Sequence, residues 1–301
     1  MGRFLHMRCE KGELINSMDT DGVKRTMAVR RLRLRRPVWC LLIVLLFCVF
    51  PLKTLAEEAE EGAEEMPPHL IQTVTERDIF EGQLALGLLE SSVLAEGDCA
   101  AAYENVKNCI VRIHMGNAYG SGVVFRMTPE CVIIVTNKHV LSYWDDAVSY
   151  VQFPQGYFTG ARVLGMADEH DVGFLSVDNG EFDFGDLERL RYVRWDMERY
   201  QKMQAGDAIF CTGAGDAAEA DGTDSFYQGS VGDMALYIDD FGEYMIFAYG
   251  YAREGMSGGG TFDSYGNFIG MISGATVSGE TASVPLPTIL EAYGNIETEE
   301  K

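Results

Sequence analysis

At 301 residues, 47% of them hydrophobic and 11% aromatic, the chain has the length of one large domain or two small ones and the composition of a folded protein. Its net charge of −22 is unevenly spread: residues 1–56 hold eleven Lys and Arg against four Asp and Glu, and residues 57–301 hold 13 against 42. An acidic body repels phosphate backbones, which excludes nucleic acid as a partner and leaves the membrane reachable only through a possible N-terminal anchor.

The positive charge lies where an export signal keeps it. "RRLRLRRP" (Arg30 to Pro37) precedes "VWCLLIVLLFCVF" (Val38 to Phe50), thirteen residues without a charge. That run suits a signal-peptide core and falls short of the roughly 20 residues of a membrane-spanning helix. "TLA" (Thr54 to Ala56) offers a small residue for cleavage, and Met27 is the expected true start. The competing reading is an uncleaved anchor over Val38 to Leu55. Phe47, not a small residue, precedes Cys48, which argues against a lipoprotein signal. Under either reading residues 1–56 are a signal peptide or signal anchor, and the body lies extracellular or at the cell surface.

An acidic linker over 57–74 follows, then a helical extension over 75–105. Within "TERDIFEGQLALGLLESSVL", Thr75 is placed to cap a helix, and Phe80, Leu84 and Leu88 recur at helical spacing. "CAAAYENV" is a second short helix. From Cys109 the texture changes to twelve short apolar or alternating runs, from "CIVRIHM" to "FIGMISGATV", most of them punctuated by Gly, Asp, Asn or Pro. That spacing predicts an all-β domain, an antiparallel barrel or sandwich, over 106–294. "LPTILEAYG" closes it as a short helix with Gly294 beyond its end, leaving an acidic tail over 295–301.

Past the presumed cleavage site the cysteines are Cys99, Cys109, Cys131 and Cys211. A local Cys99–Cys109 bridge and four buried thiols are both open readings. No CxxC or Cys/His cluster occurs, so no structural metal and no cofactor is expected. The acid-rich "GDAAEADGTDS" lacks EF-hand spacing and reads as a solvated loop.

"REGMSGGGTFD" sets Ser257 among Gly255 and Gly258 to Gly260. Small neighbours let a substrate backbone approach, and glycine leaves N–H groups uncovered. A serine nucleophile needs a base, an acid that holds the base's tautomer, and donors for the developing oxyanion. The candidate bases are His69 in the linker, His114 within a predicted strand, His170 at the surface and His139. His139 ends the run "CVIIVTNKHV", a rigid place to hold a ring at the edge of a core. Asp171 stands at the mouth of "VGFLSV", closer to the core than Asp168 or Glu169.

"GSGVVF", "TNKHVL", "DVGFLSV" and "GMSGGGTFDSYGNFIGM" occur in the order and approximate spacing of trypsin-like serine peptidases. They resemble most the bacterial HtrA-type branch, over roughly Val106 to Ala292, with no PDZ-like module following. The resemblance implies a chymotrypsin-like fold of two six-stranded antiparallel barrels, at about 106–190 and 195–285. It implies His139 as general base, Asp171 as its partner and Ser257 as nucleophile, with the N–H groups of Gly255 and Ser257 as the oxyanion hole. It also sets Tyr251 near the base of the primary pocket, with Ser273, Gly274 and Ala275 as one wall. With no acid at that base, a small or medium apolar residue is expected before the cut, in a protein or peptide substrate.

The chain departs from the family at four positions. Gly260 replaces the usual Pro, Gly173 the usual Ala, and Val140 the Cys that braces the histidine loop of animal members. Met256 stands where animal zymogens carry an Asp that pairs with a freed N-terminus, so that activation route is not implied. The expected function is a secreted or surface-anchored serine endopeptidase. The alternative is a catalytically silent protein that binds extended peptides on the same double barrel.

Overall fold

The structure is a computed structural model, and it describes residues 5–6, 74–214 and 225–299. The basic and apolar signal segment, His69, nearly all of the linker and the acidic loop 215–224 lie outside the described residues. Among the described residues no helix is long and apolar enough to cross a membrane.

Helix α1 (Glu76–Ala85) begins at Thr75, whose hydroxyl accepts from the Asp78 N–H while the Asp78 carboxylate accepts from the Thr75 N–H. This reciprocal box satisfies two otherwise orphaned donors. The helix is shorter than its apolar spacing predicts. The chain turns at Gly87 (φ +67°), so Leu88 is exposed and Leu89 is buried in its place. Helix α2 (Cys99–Val106) starts at Asp98, which accepts from the N–H groups of Ala100 and Ala101, and buries Cys99, Ala102 and Val106.

The first sheet is built from β2 (Ile110–Met115), β3 (Ala118–Met127), β4 (Cys131–Thr136), β5 (Ser149–Gln152), β6 (Phe158–Thr159), β7 (Arg162–Met166) and β8 (Gly173–Asp178). Their order is β6-β5-β2-β3-β4-β8-β7, all antiparallel. This is a curled half-barrel of seven strands, not a closed ring of six: its outermost strands β6 and β7 do not pair with each other among the described residues. The apolar runs are continuous because both faces are covered. Val111, Ile113, Val132, Ile134, Leu175 and Val177 fill the concave side. Ile110, Val123, Phe125, Ile133, Val135 and Phe174 meet a second core shared with Phe210, Phe262, Phe268 and Met271. A strand buried on both sides loses the polar alternation of a surface strand.

The second sheet holds β9 (Ala208–Gly213), β10 (Ser225–Ile238), β11 (Glu243–Tyr249), β12 (Gly260–Asp263), β13 (Phe268–Ala275) and β14 (Glu280–Pro285). The order β13-β12-β9-β10-β11-β14, with β13 also paired to β14, closes a six-strand ring. The runs "SFYQGSV" and "MALYI" are one bulged strand, β10, rather than two. Strand β14 was not among the predicted runs. The short strand β1 (Leu5–His6) adds antiparallel to β13, pairing Leu5 with Ala275 and His6 with Gly274.

Two short helices link the sheets, α4 (Phe184–Leu187) and α5 (Met197–Lys202). The terminal helix α6 (Leu286–Glu299) runs through Gly294 instead of stopping before it, so 295–299 is helix and not tail. Ile296, 7% exposed, supplies the reason: it packs where a side chain at Gly165 of β7 would otherwise stand. Burial of one isoleucine contributes about 1.5–3 kcal/mol and outweighs the ~1 kcal/mol that glycine costs a helix. The thiols of Cys99, Cys109, Cys131 and Cys211 are all free, three of them buried.

Candidate active site

Strands β4 and β8 are antiparallel neighbours, with Thr136 opposite Gly173. The end of one and the mouth of the other therefore meet, and this brings the predicted histidine and aspartate together. Past Thr136 the chain makes one helical turn, α3 (Lys138–Leu141), which carries His139. Asp171 sits in the bend before β8, held by Asn137 Nδ2, which donates to its carbonyl at 3.1 Å. Lys138 Nζ donates to the carbonyls of Ala167 (2.6 Å) and Asp168 (3.0 Å) and pins the same loop.

His139 Nδ1 lies 2.8 Å from Asp171 Oδ2, and the His139 backbone N–H donates to Oδ1 at 2.9 Å. Ser273 Oγ donates to Oδ2 as well. Burial by itself would raise the Asp171 pKa, but the bonds and charge of His139 and the Ser273 hydroxyl outweigh it and hold the carboxyl below the ordinary aspartate value. An ionised carboxylate can only accept, so Nδ1 carries the imidazole proton and Nε2 presents the lone pair. That is the tautomer a general base requires.

Ser257, 2% exposed, follows a turn over Arg253 to Met256 in which the Met256 N–H donates to the Arg253 carbonyl at 3.1 Å. Gly255 is the third residue of this turn with φ +83°, and no other residue type among the described residues has a positive φ, which makes it a type II turn. The N–H groups of Gly255 and Ser257 find no acceptor among the described residues, and Ser257 Oγ has no hydrogen-bond partner among them either. The Ser257–His139 bond is thus not closed in this state; such bonds are often loose before substrate is bound.

The glycines flanking Ser257 serve close packing. A Cβ at Gly258 (φ +86°) would lie 2.1 Å from the Ser121 carbonyl oxygen, and one at Gly259 would lie 2.4 Å from that of Thr212. The replaced family positions are equally tight: a Cβ at Gly173 would meet Leu141 at 2.6 Å. Val140, fully buried, packs on Gly120 where animal relatives use a disulfide. Met256 is fully buried among Cys211, Ala252, Ile272 and Ala275.

Ser273, Gly274 and Ala275 lie at the end of β13, Ser273 fully buried. Tyr251 is 48% exposed, its ring edge-on to Tyr227 at 4.9 Å. A ring so exposed stands at the surface and not at the floor of a closed pocket. His114 is stacked on Tyr150 and bonded to Gln152, and His170 Nδ1 is 2.7 Å from Glu243 Oε2. Neither imidazole is bonded to Asp171. Among the described residues no three His, Cys, Asp or Glu side chains gather as metal ligands do. Sequence reading missed the bond from Ser273 to Asp171, because the two residues are 102 positions apart, one in the bend before a strand of the first sheet and the other in the second sheet.

No curated protein matches the chain in sequence. Among solved structures, the HtrA-type protease AlgW with a tripeptide superposes with TM-score 0.53 at 22% identity, over 65% of this chain and 62% of that one. AlgW with a decapeptide superposes with TM-score 0.54 at 17% identity, over 66% and 67%. The chain therefore spans under two thirds of the length of the first of these, and likeness at such identities establishes the double-barrel fold. Residues 120–271, just over half of the chain, match the family of the trypsin-like peptidase domain. They contain His139, Asp171 and Ser257, and the chain belongs to the trypsin-like peptidase family.

Proposed function

We propose that the protein is a serine endopeptidase, exported from the cytoplasm and either secreted or held at the surface by its N-terminal segment. The observation that carries the reading is the His139–Asp171 pair, oriented through both carboxylate oxygens, in one fold with a serine whose turn leaves two N–H groups without an acceptor among the described residues. In the proposed mechanism Ser257 Oγ attacks a peptide carbonyl while His139 Nε2 takes its proton. The N–H groups of Gly255 and Ser257 hold the oxyanion. The C–N bond breaks as the imidazolium returns the proton to the leaving amine, and a water deprotonated by His139 then releases the acyl group. Asp171 stays ionised throughout and stabilises the imidazolium.

Two further observations support a peptide as substrate. The superposing AlgW structures contain a tripeptide and a decapeptide. The buried Ser273 and Ala275 leave an uncharged wall, which favours a small or medium apolar residue before the scissile bond.

A fluorophosphonate probe tests the reading on the full chain. Labelling that vanishes in Ser257→Ala is the expected result. A second reading, a strand-binding protein without catalysis, draws on the unpartnered Ser257 Oγ. Folded wild-type protein that resists the probe yet binds extended peptides would establish it instead.

A further inference from the structure

Ser121 is fully buried in β3, in the first sheet, and three of its groups make four hydrogen bonds around the reactive serine. Its Oγ donates to the Gly255 carbonyl at 2.6 Å and accepts the Ala214 N–H at 2.9 Å. Its N–H donates to the Ser257 carbonyl at 2.8 Å, and its own carbonyl accepts Thr136 Oγ1 at 2.7 Å. Thr136 is the last residue of β4, three positions before His139. One residue thus ties together the end of the histidine strand, the end of β9 and both ends of the Gly255–Ser257 stretch.

The surroundings are shaped for these bonds. A Cβ at Gly213 would stand 2.8 Å from Ser121 Oγ, and one at Gly258 would stand 2.1 Å from Ser121 O. Two glycines therefore clear the space in which Ser121 reaches across from the first sheet to the second. The two peptide groups of Gly255 are fixed from opposite sides. The turn sets the N–H through φ +83°, and Ser121 Oγ anchors the carbonyl.

We propose that Ser121 is a positioning residue for the oxyanion hole, holding the Gly255 and Ser257 N–H groups on target from the opposite barrel. The inference rests on the peptidase reading above. Ser121 touches no reacting atom; it acts through the carbonyls of Gly255 and Ser257. Removing its hydroxyl leaves the Gly255 carbonyl and the Ala214 N–H without their buried partner, and the turn loses the bond that resists its rotation. Donors aimed at a developing charge lose much of their worth when they drift, since preorganisation is the source of their effect.

The test compares wild type, Ser121→Ala and Ser121→Cys on a peptide amide substrate, a peptide aldehyde and the matching peptide alcohol. The aldehyde forms a tetrahedral adduct that uses the oxyanion donors; the alcohol binds the cleft without one. For Ser121→Ala the expected result is a kcat lower by about 10- to 100-fold, with KM within about threefold. Aldehyde affinity should fall by the same factor while alcohol affinity holds, and Ser121→Cys should lie between. Equal losses for aldehyde and alcohol, or wild-type kinetics in either variant, overturn the inference. If Ser121→Ala does not fold, Ser121→Cys alone decides by the same aldehyde-to-alcohol ratio. A wild-type protein inert toward both the substrate and the aldehyde would instead sink the peptidase reading.

Discussion

Replacing Gly255 by alanine tests the oxyanion geometry most directly. The new Cβ would lie 2.2 Å from Tyr119 Cε2 and 2.8 Å from Cδ2, and the backbone holds φ +83°. An L-residue in that left-handed conformation costs about 1–2 kcal/mol, and the ring contact adds to it. Rotation of the Glu254–Gly255 peptide relieves the strain, because it converts the type II turn to type I, which any residue tolerates. The same rotation removes the Gly255 N–H from the hole and replaces it with the Glu254 carbonyl. Loss of one such donor costs about 2.7–4 kcal/mol of transition-state stabilisation, so kcat should fall roughly 100- to 1000-fold. Peptide-amide hydrolysis and thermal unfolding, measured side by side, separate this from unfolding, since the turn is local and the melting midpoint should move by only a few degrees. Adding Tyr119→Ala removes the ring contact and leaves φ unchanged, so it should restore little. Turnover within threefold of wild type, or full rescue by Tyr119→Ala, would refute the assignment of that N–H.

Three other expectations follow from the same geometry. Asp171→Asn should leave the fold intact and lower kcat by roughly 10³- to 10⁴-fold, because an amide can donate to Nδ1 and so favours the wrong tautomer; an unchanged kcat would remove Asp171 from the mechanism. The Asp171 pKa is depressed in the fold, so its contribution to stability is complete above the ordinary aspartate value of about 3.9 and is lost as pH falls through the folded value. Denaturation midpoints of wild type and Asp171→Asn should therefore keep a constant gap near neutrality and converge only below about pH 4; convergence already at pH 6 would contradict the bonding described. Ile296→Ala should cost about 2–5 kcal/mol in urea unfolding, whereas an unaltered midpoint would mean the last turns of α6 are not docked on Gly165.

The paired barrels and the His139–Asp171 contact were legible because local signals carry them. "CVIIV" reads as a strand and "TNKHV" as its end, and "DVGFLSV" opens the neighbouring strand. What stayed hidden depends on contacts across the fold. Strand β14 escaped notice since its inward residues are polar: Ser283 bonds Thr261 at 2.7 Å, and Thr281 faces the Cys211 thiol. Only the small Ala282 and Val284 alternate with them, a weak apolar signal for a strand that closes the second ring. The end of α1 was masked by Leu88, whose spacing fits a helix that Gly87 has already broken. In α6 the opposite happened, and Ile296 carried the helix past a glycine that would ordinarily stop it. Tyr251 followed the family layout in sequence, and only the structure shows its ring facing outward beside Tyr227.

Met256 alters what the reactive turn responds to. Its side chain is wholly enclosed by Cys211, Ala252, Ile272 and Ala275, so the turn is braced by an apolar plug that is in place as soon as the second ring closes. A brace made by an ion pair waits for its amine to be released and is weakened by salt. A buried thioether has no proton to lose and no counter-ion to meet. It weakens on cooling, as apolar burial does, and conversion to the polar sulfoxide would push it out of its socket. A turn braced in this way is expected to respond to temperature and to oxidants.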